Sequence, residues 1–167
     1  MAETIFLAGF MGTGKTAVGR ALARRLRLPF RDSDAEIERR AGMTIAALFS
    51  RRGEKAFRAL ERRVVGELAA RGGVISLGGG ALLDARTARL AHPRVTLTCA
   101  ERELWRRLKP ELPVRPLLAG GRPALRRLLR ARRGLYRGAL FSVSTTRLSG
   151  EQAARLIARK LRNLSQG

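Results

Sequence analysis

The sequence is poor in cysteine, in aromatic side chains and in long apolar segments. Its one cysteine, Cys99, cannot form an internal disulfide bond, and no set of cysteine and histidine residues has the spacing of a metal site. We expect Cys99 to be a buried strand residue. No apolar run approaches the roughly 20 residues that a membrane span needs, and residues 1–4 lack the basic region of a signal peptide. These absences argue against a disulfide scaffold and a membrane protein, and they predict a cytoplasmic protein.

Acidic residues are also scarce. The 167 residues contain 35 lysine and arginine residues against 13 aspartate and glutamate residues, which gives a formal net charge of +22. Such an excess predicts weak, non-specific attraction to polyanions at low salt. The arginines, however, occur in twos and threes along the whole chain and are not interleaved with aromatic residues, which make up only 5%. The pattern therefore predicts no specific nucleic-acid site.

Short apolar runs alternate with amphipathic helical segments, and the length suits one α/β domain spanning residues 1–167. Five such strands separated by helices predict a parallel sheet covered on both faces, that is, a three-layer αβα fold. Ligands of such sheets bind beyond the carboxyl ends of the strands. Strands are predicted at about 5–8, 29–31, 74–77, 95–99 and 141–144, and the main helices at about 15–27, 33–42, 54–70, 101–108, 124–137 and 149–164.

Side chains that cap helices mark two of these starts. Ser33 with Glu36, and Ser149 with Gln152, have the spacing of a capping box. Asp84 is expected to cap a further short helix.

The segment from Gly9 to Thr16 matches G-x-x-x-x-G-K-[ST] in full, between a predicted strand and a predicted helix. Glycines let successive backbone N–H groups point at phosphate oxygens, and the helix adds its positive N-terminal end. Lys15 can reach the β- and γ-phosphates, and the Thr16 hydroxyl suits Mg²⁺. The motif predicts a P-loop kinase that binds ATP with one Mg²⁺ ion, through Gly12, Thr13, Gly14, Lys15, Thr16 and Ala17.

Two carboxylates follow the second predicted strand. Asp32 is placed to hold a metal-bound water near Thr16, so these two residues form the predicted metal site. Asp34 could orient a substrate hydroxyl or take its proton during attack on the γ-phosphate. It could equally be a charge in the first turn of a helix with no chemical role.

An arginine lies between two glutamates on one predicted helix face. Glu54, Arg58 and Glu61 stand at i, i+4 and i+7, so the carboxylates can hold the guanidinium from both sides. Such a trio is usually a solvated salt-bridge face, but a rigid arginine can also bind a substrate carboxylate in a two-pronged contact. The run Gly78-Gly79-Gly80 at a strand end allows a ligand to approach the backbone closely.

Together these motifs resemble the shikimate kinase family, and the resemblance covers nearly the whole chain. That family transfers the γ-phosphate of ATP to the 3-hydroxyl of shikimate, a step toward chorismate and the aromatic amino acids. The matching stretches are 9–16, Asp32-Ser33-Asp34, Gly53-Glu54 with Phe57-Arg58, 77–81, Arg115-Pro116-Leu117-Leu118 and 132–136.

The resemblance implies roles for individual residues. Lys15, Asp34 and Arg115 would be catalytic, and Arg115 would also contact ATP from a mobile lid at about 110–123. Arg58 and Arg132 would hold the shikimate carboxylate. Arg58 lies within a substrate-binding region at about 32–62, and Arg132 lies outside it. The full set implied for shikimate is Asp34, Arg58, Gly78, Gly79, Gly80 and Arg132.

Some assignments stay open at the level of sequence. Spacing back from Tyr136 selects Arg132 as the second carboxylate ligand, with Arg133 as its rival. Arg107 and Arg147 are both candidates for the base of the adenine pocket.

Two other functions compete with shikimate phosphorylation. Another P-loop metabolite kinase, such as a gluconate kinase, would share the loop and the fold. From a different class, the chain could be a basic nucleic-acid-binding protein with an incidental P-loop. We expect a monomer, because no surplus apolar stripe suggests a large interface.

Overall fold

The computed structural model describes residues 3–166. Five parallel strands form one sheet in the order β2-β3-β1-β4-β5. The strands are β1 Thr4–Gly9, β2 Phe30–Asp32, β3 Gly73–Ser76, β4 Arg94–Thr98 and β5 Phe141–Ser144. The helices are α1 Lys15–Leu26, α2 Ser33–Ala41, α3 Ile45–Arg71, α4 Ala85–Leu90, α5 Glu101–Leu108, α6 Gly121–Arg132 and α7 Gly150–Leu164.

Successive residues of the central strand face opposite layers, as strand geometry requires. Ile5 and Leu7 pack with α1 and α7 in one apolar cluster. Phe6 and Ala8 pack with α2, α3 and α4 in a second cluster on the other face. The predicted three-layer αβα fold with a five-stranded parallel sheet is thereby confirmed.

A third apolar cluster lies beyond the carboxyl end of the sheet. Phe10 of the P-loop packs there with Leu104 and Leu108 of α5 and Leu125 of α6. Leu118, which is fully buried, anchors the segment between α5 and α6 to the same cluster. This packing holds the predicted lid beside the P-loop.

The strand register brings the predicted site loops to one edge. Gly9 pairs with Leu97, and Asp32 pairs with Ser76, so the segments that follow β1 to β4 emerge together. Thr98 pairs with Ser144, which adds the segment after β5. The sheet therefore assembles residues that lie up to about 130 positions apart in sequence, as the bond from Thr145 Oγ1 to the Thr13 carbonyl shows.

The start of α2 differs from the prediction. Asp32, not Ser33, is the N-cap residue, and its Oδ1 accepts hydrogen bonds from the N–H groups of Asp34 (3.0 Å) and Ala35 (3.3 Å). The Ser33 hydroxyl is instead buried and accepts from Gly78 N at 3.0 Å. The predicted capping box of Ser33 and Glu36 is wrong, because a tertiary contact uses the serine. The box formed by Ser149 and Gln152 and the Asp84 cap are both confirmed.

Bounds also differ near the lid. The helix predicted at 124–137 begins at Gly121 and ends at Arg132, and a 3-10 turn over Arg133–Tyr136 follows it. Gly134, a poor helix former, lies in that turn. The rest of the predicted lid forms 3-10 turns at Lys109–Val114 and Pro116–Leu118. Pro113 lacks a backbone donor, which disfavours a longer helix there.

Cys99 lies one residue beyond β4 and is only partly buried, so its prediction as a buried strand residue is wrong. Cys99 and the Trp105 side chain pack against the third apolar cluster, beside Phe10. In the described part of the chain, no helix combines the length and apolarity that crossing a membrane would take.

Candidate active site

The P-loop takes its shape from glycines in the left-handed region. Gly12 and Gly14 have φ angles of 78° and 88°, which other residues rarely adopt. Thr13 is buried, and its hydroxyl donates to the Phe10 carbonyl at 2.7 Å, which closes the loop on itself. Gly14 is the N-cap of α1 and supplies no side-chain acceptor, so the first N–H groups of α1 are left for a ligand. Ala17 lies in the exposed first turn of the same helix.

Lys15 folds back over the loop that carries it. Its Nζ donates to the carbonyl oxygens of Gly9 (2.9 Å) and Phe10 (3.1 Å). Burial lowers the pKa of Lys15 to about 8, although the nearby Asp34 and Asp32 carboxylates oppose this shift. An anion bound in the loop would restore the charge, so the site favours a polyphosphate.

Asp32 joins the end of β2 to the P-loop. One carboxylate oxygen caps α2, and the other, Oδ2, accepts a hydrogen bond from the Thr16 hydroxyl at 3.3 Å. The two predicted metal-site residues are thus adjacent, and both offer the hard oxygen atoms that Mg²⁺ prefers.

Asp34 faces the triple-glycine loop. Burial raises the pKa of Asp34 to about 6, with smaller contributions of the same sign from Asp32 and Glu61, while Lys15 acts in the opposite direction. A Cβ atom on Gly78 would lie 2.3 Å from Asp34 Oδ1, so a larger residue there would displace this carboxylate. A partly buried carboxylate with a pKa near neutrality is the usual form of a general base.

Arg58 is fixed on α3 by three groups. Its Nη1 donates to Glu61 Oε2 at 2.7 Å and to the Gly80 carbonyl at 3.1 Å, and its Nε donates to Glu54 Oε1 at 3.3 Å. The Glu61 side chain is 1% exposed, and burial raises its pKa although Arg58 opposes this. A buried carboxylate behind a guanidinium holds it far more rigidly than a solvated pair would. The trio is therefore not an open salt-bridge face.

Arg132 reaches the same loop from the end of α6. Its Nη1 donates to the Gly79 carbonyl at 3.1 Å, and the Tyr136 hydroxyl donates to the same oxygen at 3.2 Å. Burial lowers the pKa of Arg132 and raises that of Tyr136 to about 12. Arg130 and Arg133, by contrast, are exposed. Tertiary packing therefore selects Arg132 from the three crowded arginines.

Both guanidinium groups converge on Gly80. A Cβ atom there would lie 3.5 Å from Arg58 Nη2 and 3.7 Å from Arg132 Nη2. A Cβ atom on Gly79 would lie 3.5 Å from the Met11 backbone nitrogen of the P-loop. The triple glycine is thus the meeting point of two cations, the Asp34 carboxylate and the phosphate loop.

The lid arginine lies near the P-loop. Arg115 Nε donates to Glu111 Oε2 at 2.7 Å. Glu111 lies in the 3-10 turn Lys109–Val114, and Arg115 directly follows that turn. Its positive charge contributes to the lowered pKa of Lys15, which places Arg115 within electrostatic reach of the loop.

The two candidates for the adenine pocket differ. Arg107 donates to the Gly12 carbonyl at 3.1 Å and to the Thr145 carbonyl at 2.8 Å, so it joins the P-loop to the segment after β5. Arg147 is exposed and forms no hydrogen bond or ion pair with any residue in the range 3–166. Arg107 therefore lies at the phosphate loop itself.

Sequence reasoning missed two groups that shape the site. Ser33 ties α2 to the triple glycine through Gly78 N, and Thr145 donates to the Thr13 carbonyl at 2.8 Å. The position of Thr145 directly after β5 was a usable signal, because all loops at that edge surround the site. The Ser33 contact had no signal, since its local pattern imitates a cap.

Comparison with known proteins gives one consistent result. The shikimate kinase family profile matches residues 11–162. Shikimate kinase from Thermobifida fusca strain YX is 49% identical over 160 residues, which are 93% of this chain and 92% of that protein. The solved structure of shikimate kinase from Acinetobacter baumannii in complex with shikimate has a TM-score of 0.90 and 35% identity, and the match covers 98% of this chain and 94% of that one.

A gluconokinase from Sinorhizobium meliloti shares only the fold, with a TM-score of 0.60 and 22% identity over 98% of this chain and 95% of that one. The profile match and the identity to curated relatives agree with the motifs that the site brings together. The chain belongs to the shikimate kinase family.

Proposed function

We propose that this chain transfers the γ-phosphoryl group of ATP to the 3-hydroxyl group of shikimate, giving 3-phosphoshikimate and ADP. The product leads toward chorismate and the aromatic amino acids. Beyond the family relationship, one observation carries the proposal. Arg58 and Arg132 converge on Gly80, while Asp34 contacts Gly78 two residues away. Two cations and one carboxylate around a loop of three glycines suit a small ring that has one carboxylate and several hydroxyl groups.

The acceptor is held by its carboxylate. The Arg58 and Arg132 guanidinium groups can each form charge-assisted bonds to it, and such bonds are about twice as strong as neutral ones. Glu54 and Glu61 fix Arg58, and the Gly79 carbonyl fixes Arg132, so little ordering is left to occur on binding. This arrangement would present the ring hydroxyls to Asp34.

Asp34 accepts the proton of the attacking hydroxyl. The substrate oxygen forms a bond to the γ-phosphorus, the bond between that phosphorus and the β–γ bridging oxygen breaks, and ADP leaves. A pKa of about 6 keeps Asp34 ionised at neutral pH and still basic enough to receive a proton.

The donor is held by the P-loop. Backbone N–H groups from Gly12 to Thr16 surround the β-phosphate, and Lys15 exchanges its bonds to the Gly9 and Phe10 carbonyls for phosphate oxygens. Charge that develops on the transferred group is stabilised by Lys15 and by Arg115 from the lid. Closure of the lid over 110–123 excludes water, which would otherwise compete as acceptor.

Mg²⁺ fits the pair formed by Thr16 and Asp32. Mg²⁺ keeps several waters and takes few protein ligands beside substrate phosphates, and the 3.3 Å contact between these oxygens offers such a site. When bound, the ion neutralises phosphate charge. Arg107, which already bonds to the P-loop, is the residue we assign to the adenine side, with the loop around Arg147 closing it.

We assign the enzyme to the cytoplasm, where ATP is available, and we expect it to act as a monomer. Size-exclusion chromatography with light scattering at micromolar concentration tests the latter. An elution mass near 18.4 kDa is expected, and a mass twice as large would contradict it.

A coupled assay of ADP release tests the function. Shikimate should support turnover, whereas quinate, gluconate and nucleoside monophosphates should not. Turnover on another acceptor without turnover on shikimate would contradict the proposed substrate but not the P-loop kinase assignment.

A pair of α3 variants tests the carboxylate contact. Arg58→Ala should raise the KM for shikimate about 100-fold, since a charge-assisted bond contributes roughly 1.5–3 kcal/mol, and leave the KM for ATP nearly unchanged. Arg51→Ala, at an exposed position of α3 before the non-helical Gly53, is the control and should alter neither. Equal damage to both substrates by Arg58→Ala would mean that Arg58 is structural.

A further inference from the structure

The layer formed by α1 and α7 carries a strong excess of positive charge. Residues 15–27 and 150–164, which contain α1 and α7, hold nine basic residues and one acidic residue, Glu151. Helices α2 and α3, in the opposite layer, hold nine basic and six acidic residues. The net charge of the α1 and α7 segments is therefore 9 − 1 = +8, against 9 − 6 = +3 for α2 and α3.

Helices α1 and α7 pack together on the same face of the sheet. Their apolar residues, such as Leu22 and Ile157, are buried against it, which turns the basic residues outward. Arg24 and Arg25 share the one carboxylate, Glu151. We call this the α1–α7 surface, and its exposed basic side chains are Arg20, Arg24, Arg25, Arg27, Arg155, Arg159, Lys160 and Arg162.

A row of arginines runs along the outer face of α7. Arg155, Arg159 and Arg162 stand at i, i+4 and i+7, and Gln152 and Leu156 lie beside them on the same open face of α7. None of the three forms an ion pair with another residue in the described range 3–166. The row rises about 10.5 Å along the helix from Arg155 to Arg162, which is close to three nucleotide steps of about 3.4 Å in a stacked strand. The three arginines can thus meet phosphates within one short segment of a single strand.

We propose that the α1–α7 surface binds the phosphate backbone of single-stranded nucleic acid without sequence preference, centred on the arginine row of α7. The chemistry is that of counterion release, in which each arginine that meets a phosphate displaces condensed cations. No aromatic side chain lies in the row, so base stacking adds nothing and sequence preference is not expected. An anionic membrane fits less well, because the apolar face of α7 is buried on the sheet and cannot enter a bilayer.

This surface is separate from the kinase site. The N-terminal end of α7 is the part that lies against the first turn of α1, where a Cβ atom added to Gly150 would lie 3.2 Å from Ala17. The arginine row begins more than one helical turn further on. Saturating Mg-ATP and shikimate should therefore leave nucleic-acid binding unchanged.

Fluorescence anisotropy with a labelled thymidine 20-mer tests the proposal over a series of salt concentrations. The variant Arg155→Gln, Arg159→Gln, Arg162→Gln should bind about 100-fold more weakly at 50 mM salt. Its slope of log K against log salt should be less steep by about 2, since each lost contact to a single strand removes about 0.7. The control Arg51→Gln, Arg52→Gln, Arg71→Gln removes the same charge from exposed positions of α3 and should stay within about threefold of the unmodified chain.

Four results would overturn the proposal. Equal weakening by the two triple variants would show that net charge alone acts. Competition by Mg-ATP would place the strand in the P-loop. Failure of the unmodified chain to bind the 20-mer, or a preference for vesicles of anionic phospholipid over the 20-mer, would remove nucleic acid as the partner. Shikimate-dependent turnover and circular dichroism of both variants should match the unmodified chain, which shows that each is folded.

Discussion

A methyl group added at Gly78 should disable the enzyme through Asp34. The added Cβ would lie 2.3 Å from Asp34 Oδ1 and 3.0 Å from its Cγ, whereas real Cβ contacts essentially never fall under 3.0 Å. The carboxylate and the loop must therefore move apart by at least 0.7 Å. Displacement of a catalytic group by about 1 Å can cost about 100-fold in rate. We expect Gly78→Ala to lower kcat/KM for shikimate about 100-fold, with the KM for ATP nearly unchanged.

The same clash should appear in stability. Overpacking of a tight site costs about 1–3 kcal/mol, so urea denaturation should show that loss for Gly78→Ala. In a chain that already carries Asp34→Ala, the clashing oxygen is gone, and the same substitution should be nearly neutral. This double-mutant cycle isolates the contact. A loss of equal size in both backgrounds, or a Gly78→Ala enzyme with normal kcat/KM, would refute the reasoning.

Four further predictions concern the charged groups of the site. Because Asp34 must be ionised to accept a proton, kcat/KM for shikimate should rise with pH through about 6 and then level off; a limb near pH 4 would contradict this. The pKa of Asp34 in the folded chain lies above its ordinary value of 3.8, so the native state binds a proton that the unfolded state has lost. Asp34 should therefore destabilise the fold as pH rises from about 4 to 6. Asp34→Asn should raise the free energy of unfolding at pH 7.5, which urea denaturation measures. Lys15 loses its charge above its pKa of about 8 in the folded chain, so kcat/KM for ATP should fall above pH 8. If kcat/KM for ATP fell only near pH 10, Lys15 would not be buried in the free enzyme. Arg132→Ala should raise the KM for shikimate about 100-fold, whereas Arg133→Ala, at an exposed position, should change it less than twofold; the reverse order in steady-state kinetics would make Arg133 the carboxylate ligand.

Local patterns predicted the fold and the position of the P-loop between β1 and α1. The P-loop is contiguous, so its glycines, lysine and threonine determine their own geometry, and helix bounds such as Glu101–Leu108 follow from amphipathic spacing. Ser33 shows where this reasoning fails. Its spacing to Glu36 imitates a cap, but its hydroxyl is used by Gly78 N across the sheet. Ser33 makes this tertiary hydrogen bond and not the local one, because the Asp32 carboxylate caps α2 in its place.

The acceptor half could be predicted as a set of residues but not as an arrangement. Spacing back from Tyr136 favoured Arg132 over its rival Arg133, and packing against Phe10 and Gly79 turns Arg132 inward. The Glu54, Arg58 and Glu61 trio was predicted with two possible meanings. The buried Glu61 side chain argues against the interpretation as a solvated salt-bridge face. Sequence spacing could not show this, because exposure depends on what packs over a helix face.

By itself, the sequence determined the phosphate loop, the alternation of strands and helices and the excess of arginine, since each depends on neighbouring residues or on composition. The tertiary structure alone decided which arginines converge on Gly80 and which face solvent. It also gathered the basic residues of α1 and α7, more than 120 positions apart, on one layer. The physical reason is the same in both cases: burial and distance between elements are properties of the folded chain, and a parallel sheet joins segments that sequence keeps apart.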